Sequence, residues 1–232
     1  MPRYNLLDEK WIQVASKDNV EKVSIKELFA GAAKYKELAG DMKTQDFAVM
    51  RVMLAILHTV FSRFDSNGDP YEFFEVDKKS FLQTGELEEC DLEDYEDALY
   101  QTWIDIWNAK EFPKVVYEYL EKWRERFFLY DDKYPFFQVT KEVIEKDAAG
   151  GGEFYGKNIN RLVSESNNKQ AYFSPKDESY KEYIVDDELA RWLITLQGYI
   201  GTSDKKKVGS AKTYSKGWLY DLGGVYLQGN NL

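Results

Sequence analysis

His58 and Cys90 are the only histidine and the only cysteine in 232 residues, and this census removes much chemistry at once. A structural zinc site needs about four Cys/His-type ligands. A Ser-His-Asp arrangement would have to use His58, which stands among Leu54, Ile56, Leu57 and Phe61 and is expected to be a buried or half-buried structural residue. Cys90 lies within Glu88-Glu89-Cys90-Asp91, where negative neighbours disfavour the thiolate that a nucleophile or ligand requires. No cofactor is expected, no metal ligand set and no catalytic residue.

Two other motifs fall short of their chemistry. Gly151-Gly152-Glu153-Phe154-Tyr155-Gly156-Lys157-Asn158 approaches the phosphate-cradling pattern G-x-x-x-x-G-K-[ST], but Asn158 replaces the hydroxyl that would reach magnesium. Asp65-x-Asn67-x-Asp69 opens like a calcium loop, yet Pro70 stands where glycine is required and Val76 where a bidentate glutamate is required. That stretch is expected to be a helix-terminating turn.

Binding chemistry has more support. Between Gly201 and Gly217 five lysines (Lys205, Lys206, Lys207, Lys212, Lys216) stand against one aspartate, with Gly209 among them. Flexible ammonium groups on a glycine-bearing loop suit phosphate contact, and Tyr214 and Trp218 offer stacking surface nearby. A mobile solvated connector has the same composition. The net charge of −10 is local in origin, because residues 65–100 hold 13 acidic and 2 basic side chains. That segment reads either as a solvated face or as a surface for partners, with Trp103 and Trp107 close by.

The elements that must position these groups are mostly helical. The 44% apolar content suits a real core, and 31% charged residues suit a soluble globular chain. Residues 4–14 read as extended. Ser24 and Glu27 form a capping box ahead of a short helix to about Ala33. Thr44 is expected to cap a core helix to about Phe64, apolar on nearly every face yet too short and too charged in its most apolar stretch to span a bilayer. A helix from Asp91 with Tyr95, Leu99, Trp103 and Ile106 on its apolar stripe pairs with a second to about Arg126, broken at Phe112-Pro113. Asp186-Asp187-Glu188 opens a helix bearing Leu189, Trp192, Leu193 and Leu196, which Gly198 ends. A hairpin is expected around Gly223-Gly224. The fold class is α+β, predominantly helical with short β elements and no internal domain boundary.

Several blocks together resemble the large subunit of the type I-E CRISPR surveillance complex Cascade, the CasA family. Tyr4-Asn5-Leu6-Leu7-Asp8-Glu9-Lys10-Trp11-Ile12-Gln13-Val14 is similar to the family's "NLL…WIPV" opening. Glu37-Leu38-Ala39-Gly40-Asp41 with Thr44-Gln45-Asp46, Arg126-Phe127-Phe128-Leu129-Tyr130 with Pro135-Phe136-Phe137-Gln138, and Ala190-Arg191-Trp192-Leu193 with Leu196-Gln197 follow in the family's order. The resemblance implies a non-catalytic, cytoplasmic subunit of an RNA-guided antiviral complex that helps recognise the motif flanking the target (the PAM) and helps recruit a helicase–nuclease. The implied partners are the other Cascade subunits with guide RNA, double-stranded target DNA and that nuclease, with no membrane. It places Gly201, Lys205, Lys206, Lys207, Gly209, Lys212 and Lys216 at the DNA, and Tyr172, Phe173 and Ser174 at docking onto the RNA-bearing complex. The alternative is a protein-interaction module that uses the acidic 65–100 face without touching DNA. Residues 1–232 are expected to be an incomplete N-terminal CasA-like domain without the family's C-terminal helical bundle.

Overall fold

Ser24 and Glu27 close the box that the sequence predicts: Ser24 Oγ accepts from Glu27 N at 3.2 Å, and Glu27 Oε2 accepts from Ser24 N at 2.9 Å. This reciprocal cap starts α1, Ile25–Gly31. In the computed structural model, which describes residues 4–140, 142, 183–199, 217–219 and 229–232, α1 lies between the second and third strands of a three-stranded antiparallel sheet. Strand β1 (Ile12–Ala15) lies between β2 (Val20–Val23) and β3 (Glu37–Leu38), with Ile12 opposite Val23 and Val14 opposite Leu38. Ile12 and Val14 point into the core while Gln13 and Ala15 face outward, the period of two expected of a sheet covered on one side.

Helix α2 spans Lys43–Phe61 and buries Ala48, Val49, Met53, Ile56 and Val60. By length and composition alone it could cross a membrane, at mean hydropathy 1.2 over 19 residues. Instead it packs along α5 (Asp186–Tyr199) and against α4 (Lys114–Lys122), so its apolar stripe belongs to the core. Three expectations are corrected here. Thr44 does not cap the helix; the chain turns in at Met42, which places no side chain on the free backbone donors. The helix is not apolar on nearly every face, because Arg51 and Ala55 are exposed and Leu54 is 36% exposed. His58 is exposed rather than buried.

Asp65 terminates this region as expected. Its Oδ1 accepts from Asn67 N at 2.8 Å and Asp69 N at 2.9 Å, and Gly68 takes the positive φ of 86° that the turn requires. The carboxylate therefore holds the turn. A two-stranded ribbon, β4 (Val76–Asp77) with β5 (Leu82–Gln83), leads to α3, Leu92–Ala109. Of the predicted stripe of α3, Tyr95, Leu99 and Ile106 are half-buried, and Trp103 alone is misplaced. Thr102 is the buried residue, its hydroxyl 2.7 Å from the Tyr71 hydroxyl, and Trp103 points to solvent. The break at Phe112-Pro113 holds, and α4 buries Val115, Val116 and Leu120. Residues 127–130 add no buried parallel strand. Leu6 N donates to Phe127 O and Leu129 N to Tyr4 O, tying this stretch to the N-terminal segment. The fold class is α+β with few, short strands. The hairpin expected around Gly223-Gly224 and the near-phosphate loop 151–158 lie outside the described residues.

Candidate nucleic-acid interface

Helix α5 carries the stem of the lysine-bearing segment, and its sequence explains its rigidity. Ala190, Trp192, Leu193 and Ile194 are buried in succession, so the helix is covered on most of its circumference. Arg191 sits within that run at 3% exposure. Its Nη1 donates to the Trp11 carbonyl at 2.6 Å and to Asp187 Oδ2 at 3.0 Å, one helical turn earlier. Lys22 on β2 reaches the same carboxylate oxygen at 2.6 Å. Burial works against an ionised Asp187, but the hydrogen bonds from Lys22 and Arg191 outweigh it and hold this carboxyl below the usual range. Trp192 Nε1 donates to Asp41 Oδ2 at 2.9 Å. At the helix start Asp186 accepts from the Tyr130 hydroxyl at 2.8 Å; burial first, and then this carboxylate, push the phenol upward.

The far end of α5 is pinched against the chain that returns to it. Leu219 N donates to Gly198 O at 2.7 Å. A Cβ on Gly217 would collide with the Gly198 carbonyl oxygen and stand 2.5 Å from its carbon, so only glycine permits this approach. Gln197 Nε2 donates to Phe137 O at 3.1 Å, and the Phe137 and Trp218 ring centroids lie 5.2 Å apart. Gly198 and Gly217 therefore bring the two ends of the intervening sequence together at an anchored stem. Trp218, expected as free stacking surface, is half-buried and packs against the core.

Gly201, Lys205, Lys206, Lys207, Gly209, Lys212 and Lys216 lie outside the described residues, as do Tyr172, Phe173 and Ser174. Two positions that the sequence pattern does not single out are Arg191 and Gly217. An Asp187–Arg191 pair at i,i+4 within an apolar run was the available signal for Arg191. Gly217 carried no signal, because its partner Gly198 meets it only through tertiary structure.

Elsewhere the chemistry-bearing groups are occupied by structure. Cys90 Sγ lies 3.6 Å from Asp91 Oδ1 and 3.7 Å from Glu88 Oε2, and the Asp91 charge, then that of Glu88, pushes its thiol up. These three residues form the one acid–thiol group among the described residues whose ligand atoms converge within 4.8 Å. A cleft of about 190 Å³ between α1 and α2 is lined by Phe29, Leu38, Met50, Met53, Phe112 and Leu232. Asp46, on its wall, has its carboxyl raised by burial and accepts from Gly40 N at 2.7 Å, which makes it a structural link to the loop before α2.

Comparison with known proteins follows this architecture. The chain is 26% identical over 215 residues to CRISPR-associated protein CasA/Cse1 of Thermus thermophilus, covering 91% of this chain and 35% of that protein. The crystal structure of Thermobifida fusca Cse1 superposes with a TM-score of 0.62 at 24% identity, over 99% of this chain and 38% of that one. A chain of a CRISPR RNA-guided surveillance complex has the same fold, with a TM-score of 0.60 at 11% identity over 86% of this chain and 35% of its own. The 232 residues thus span little more than a third of the length of these relatives. The family profile of CRISPR-associated protein Cse1 matches residues 5–232, and the chain belongs to that family.

Proposed function

We propose that this chain is the N-terminal CasA-like part of a non-catalytic, cytoplasmic large subunit in an RNA-guided surveillance complex, where it contacts target DNA and its flanking motif. The observation that supports this most is the pinched stem: Gly198 and Gly217 meet at the end of a helix that Arg191 ties to the Trp11 carbonyl, and the sequence between the two glycines carries five lysines. Such a loop brings ammonium groups to phosphates and releases condensed counterions, while the acidic 65–100 segment repels the same backbone. Gly201 and Gly209 are the positions for close approach within the groove. In the assembled complex with guide RNA, replacing Lys205, Lys206 and Lys207 by alanine weakens binding to all target sequences. It also lowers the salt slope by roughly one unit for each phosphate that a lysine no longer neutralises. An unchanged slope in titrations at several salt concentrations identifies the loop as a solvated connector.

Tyr172, Phe173 and Ser174 serve assembly in this reading, and recruitment of the helicase–nuclease follows once target is bound. The Tyr172→Ala, Phe173→Ala double variant keeps its melting temperature and fails to enter guide-bound complex in size-exclusion chromatography. A collapse of melting temperature makes these rings core residues instead. The second reading, a protein-binding role for the acidic face, is favoured by one observation, the exposed aromatic side chains of α3.

A further inference from the structure

Tyr100, Trp103 and Trp107 are 63%, 58% and 60% exposed, and they follow one another at i, i+3 and i+7 along one face of α3. Their rings form an offset stack: Tyr100 and Trp103 centroids are 5.9 Å apart at 28°, Trp103 and Trp107 6.2 Å apart at 26°. Three large rings aligned in solvent are costly to leave in water, and contiguous exposed apolar surface marks interaction sites. The charge along this helix is mostly acidic. Helix α3 carries Glu93, Asp94, Glu96, Asp97 and Asp105, and no lysine or arginine occurs from Ser80 until Lys110 at its C-terminal end.

We propose that this aromatic ladder is a docking surface for an arginine-bearing segment of a partner protein. The faces of Tyr and Trp attract cations, and a planar guanidinium can lie on a ring while also meeting a neighbouring carboxylate. The same rings could stack bases, but the acidic residues on this helix repel a phosphate backbone. A second copy of this chain would bring two acidic faces together, which like-charge repulsion opposes. A cationic protein segment satisfies both the rings and the charge. This inference is independent of the DNA reading, because it uses none of the lysines between Gly201 and Gly217, and either can fail alone.

The test is tryptophan fluorescence of the full chain, titrated with an eight-residue peptide of alternating arginine and glycine. Its lysine and glutamate analogues and oligothymidylate are the comparison probes. The arginine peptide binds best, and each ring removed in Trp103→Ala and Trp107→Ala weakens it about two- to fivefold, as cation–π attraction at exposed sites predicts. The double leucine variant Trp103→Leu, Trp107→Leu, which keeps apolar area without an aromatic π face, is weakened as the alanine variants are. Alanine variants that bind as tightly as the parent reduce the interaction to bulk charge and overturn the proposal. So does undiminished binding by the leucine variant, which makes the site merely apolar. Oligothymidylate binding that disappears with the rings, or dimerisation by analytical ultracentrifugation that does so, assigns the ladder to nucleic acid or to a second copy. A collapse of melting temperature in the leucine variant shows that the rings belong to the core, and overturns it as well.

Discussion

Replacing Arg191 by alanine lowers the unfolding free energy by about 3–5 kcal/mol, the cost of removing one partner from a buried ion pair. Asp187 keeps Lys22, so the lower end of that range is expected, with the Trp11 carbonyl also losing its donor. For a chain of this length the melting temperature falls by roughly 6 to 20 °C. The pH dependence changes with it. The folded carboxyl of Asp187 is depressed, so its stabilisation is present above the unfolded value of about 3.9 and is lost as pH falls through the lower folded value. Without Arg191 that acid limb becomes shallower. Thermal unfolding followed by circular dichroism between pH 2.5 and 7 measures both effects; a loss under about 1 kcal/mol would mean that α5 is held by apolar packing alone.

Gly217→Ala is the second large effect. Its new methyl group meets the backbone of Gly198 and Gln197, which has no rotamer by which to escape, so the stem must open and break the Leu219 N to Gly198 O bond. Overpacking of this kind costs about 1–3 kcal/mol. Gly198→Ala is the control, because its Cβ would meet the side chains of Leu219 and Trp218 at 3.3 Å, and these can shift. The Gly217 variant therefore melts lower than the Gly198 variant. If the proposed DNA contact holds, this variant in the assembled complex also loses flanking-motif discrimination more than overall affinity, since the lysines survive while the stem that joins Gly217 to Gly198 opens. Equal melting temperatures for the two variants would remove the case for a constrained stem.

What the sequence determined by itself was local. The Ser24–Glu27 box, the Asp65 turn with Gly68 and the extent of α5 involve groups two to four residues apart or a continuous pattern along one helix, and each is legible in the residue types alone. The order of blocks from Tyr4 to Gln197 was enough to suggest the family. Faces and meetings were decided only by the tertiary structure. On α3 the spacing admits Thr102 or Trp103 beside Leu99 and Ile106; Thr102 goes inward, where the Tyr71 hydroxyl, 31 residues away, satisfies its own, and Trp103 faces outward beside Tyr100 and Trp107. His58 is exposed because the buried stripe of α2 runs through Met53, Ile56 and Val60. Arg191 is an anchor only because the Trp11 carbonyl, 180 residues earlier, ends beside it. Gly217 matters only because the chain returns to Gly198. Hydrogen-bond satisfaction and close packing between distant segments leave no periodic trace in a sequence, whereas caps, turns and helix stripes do.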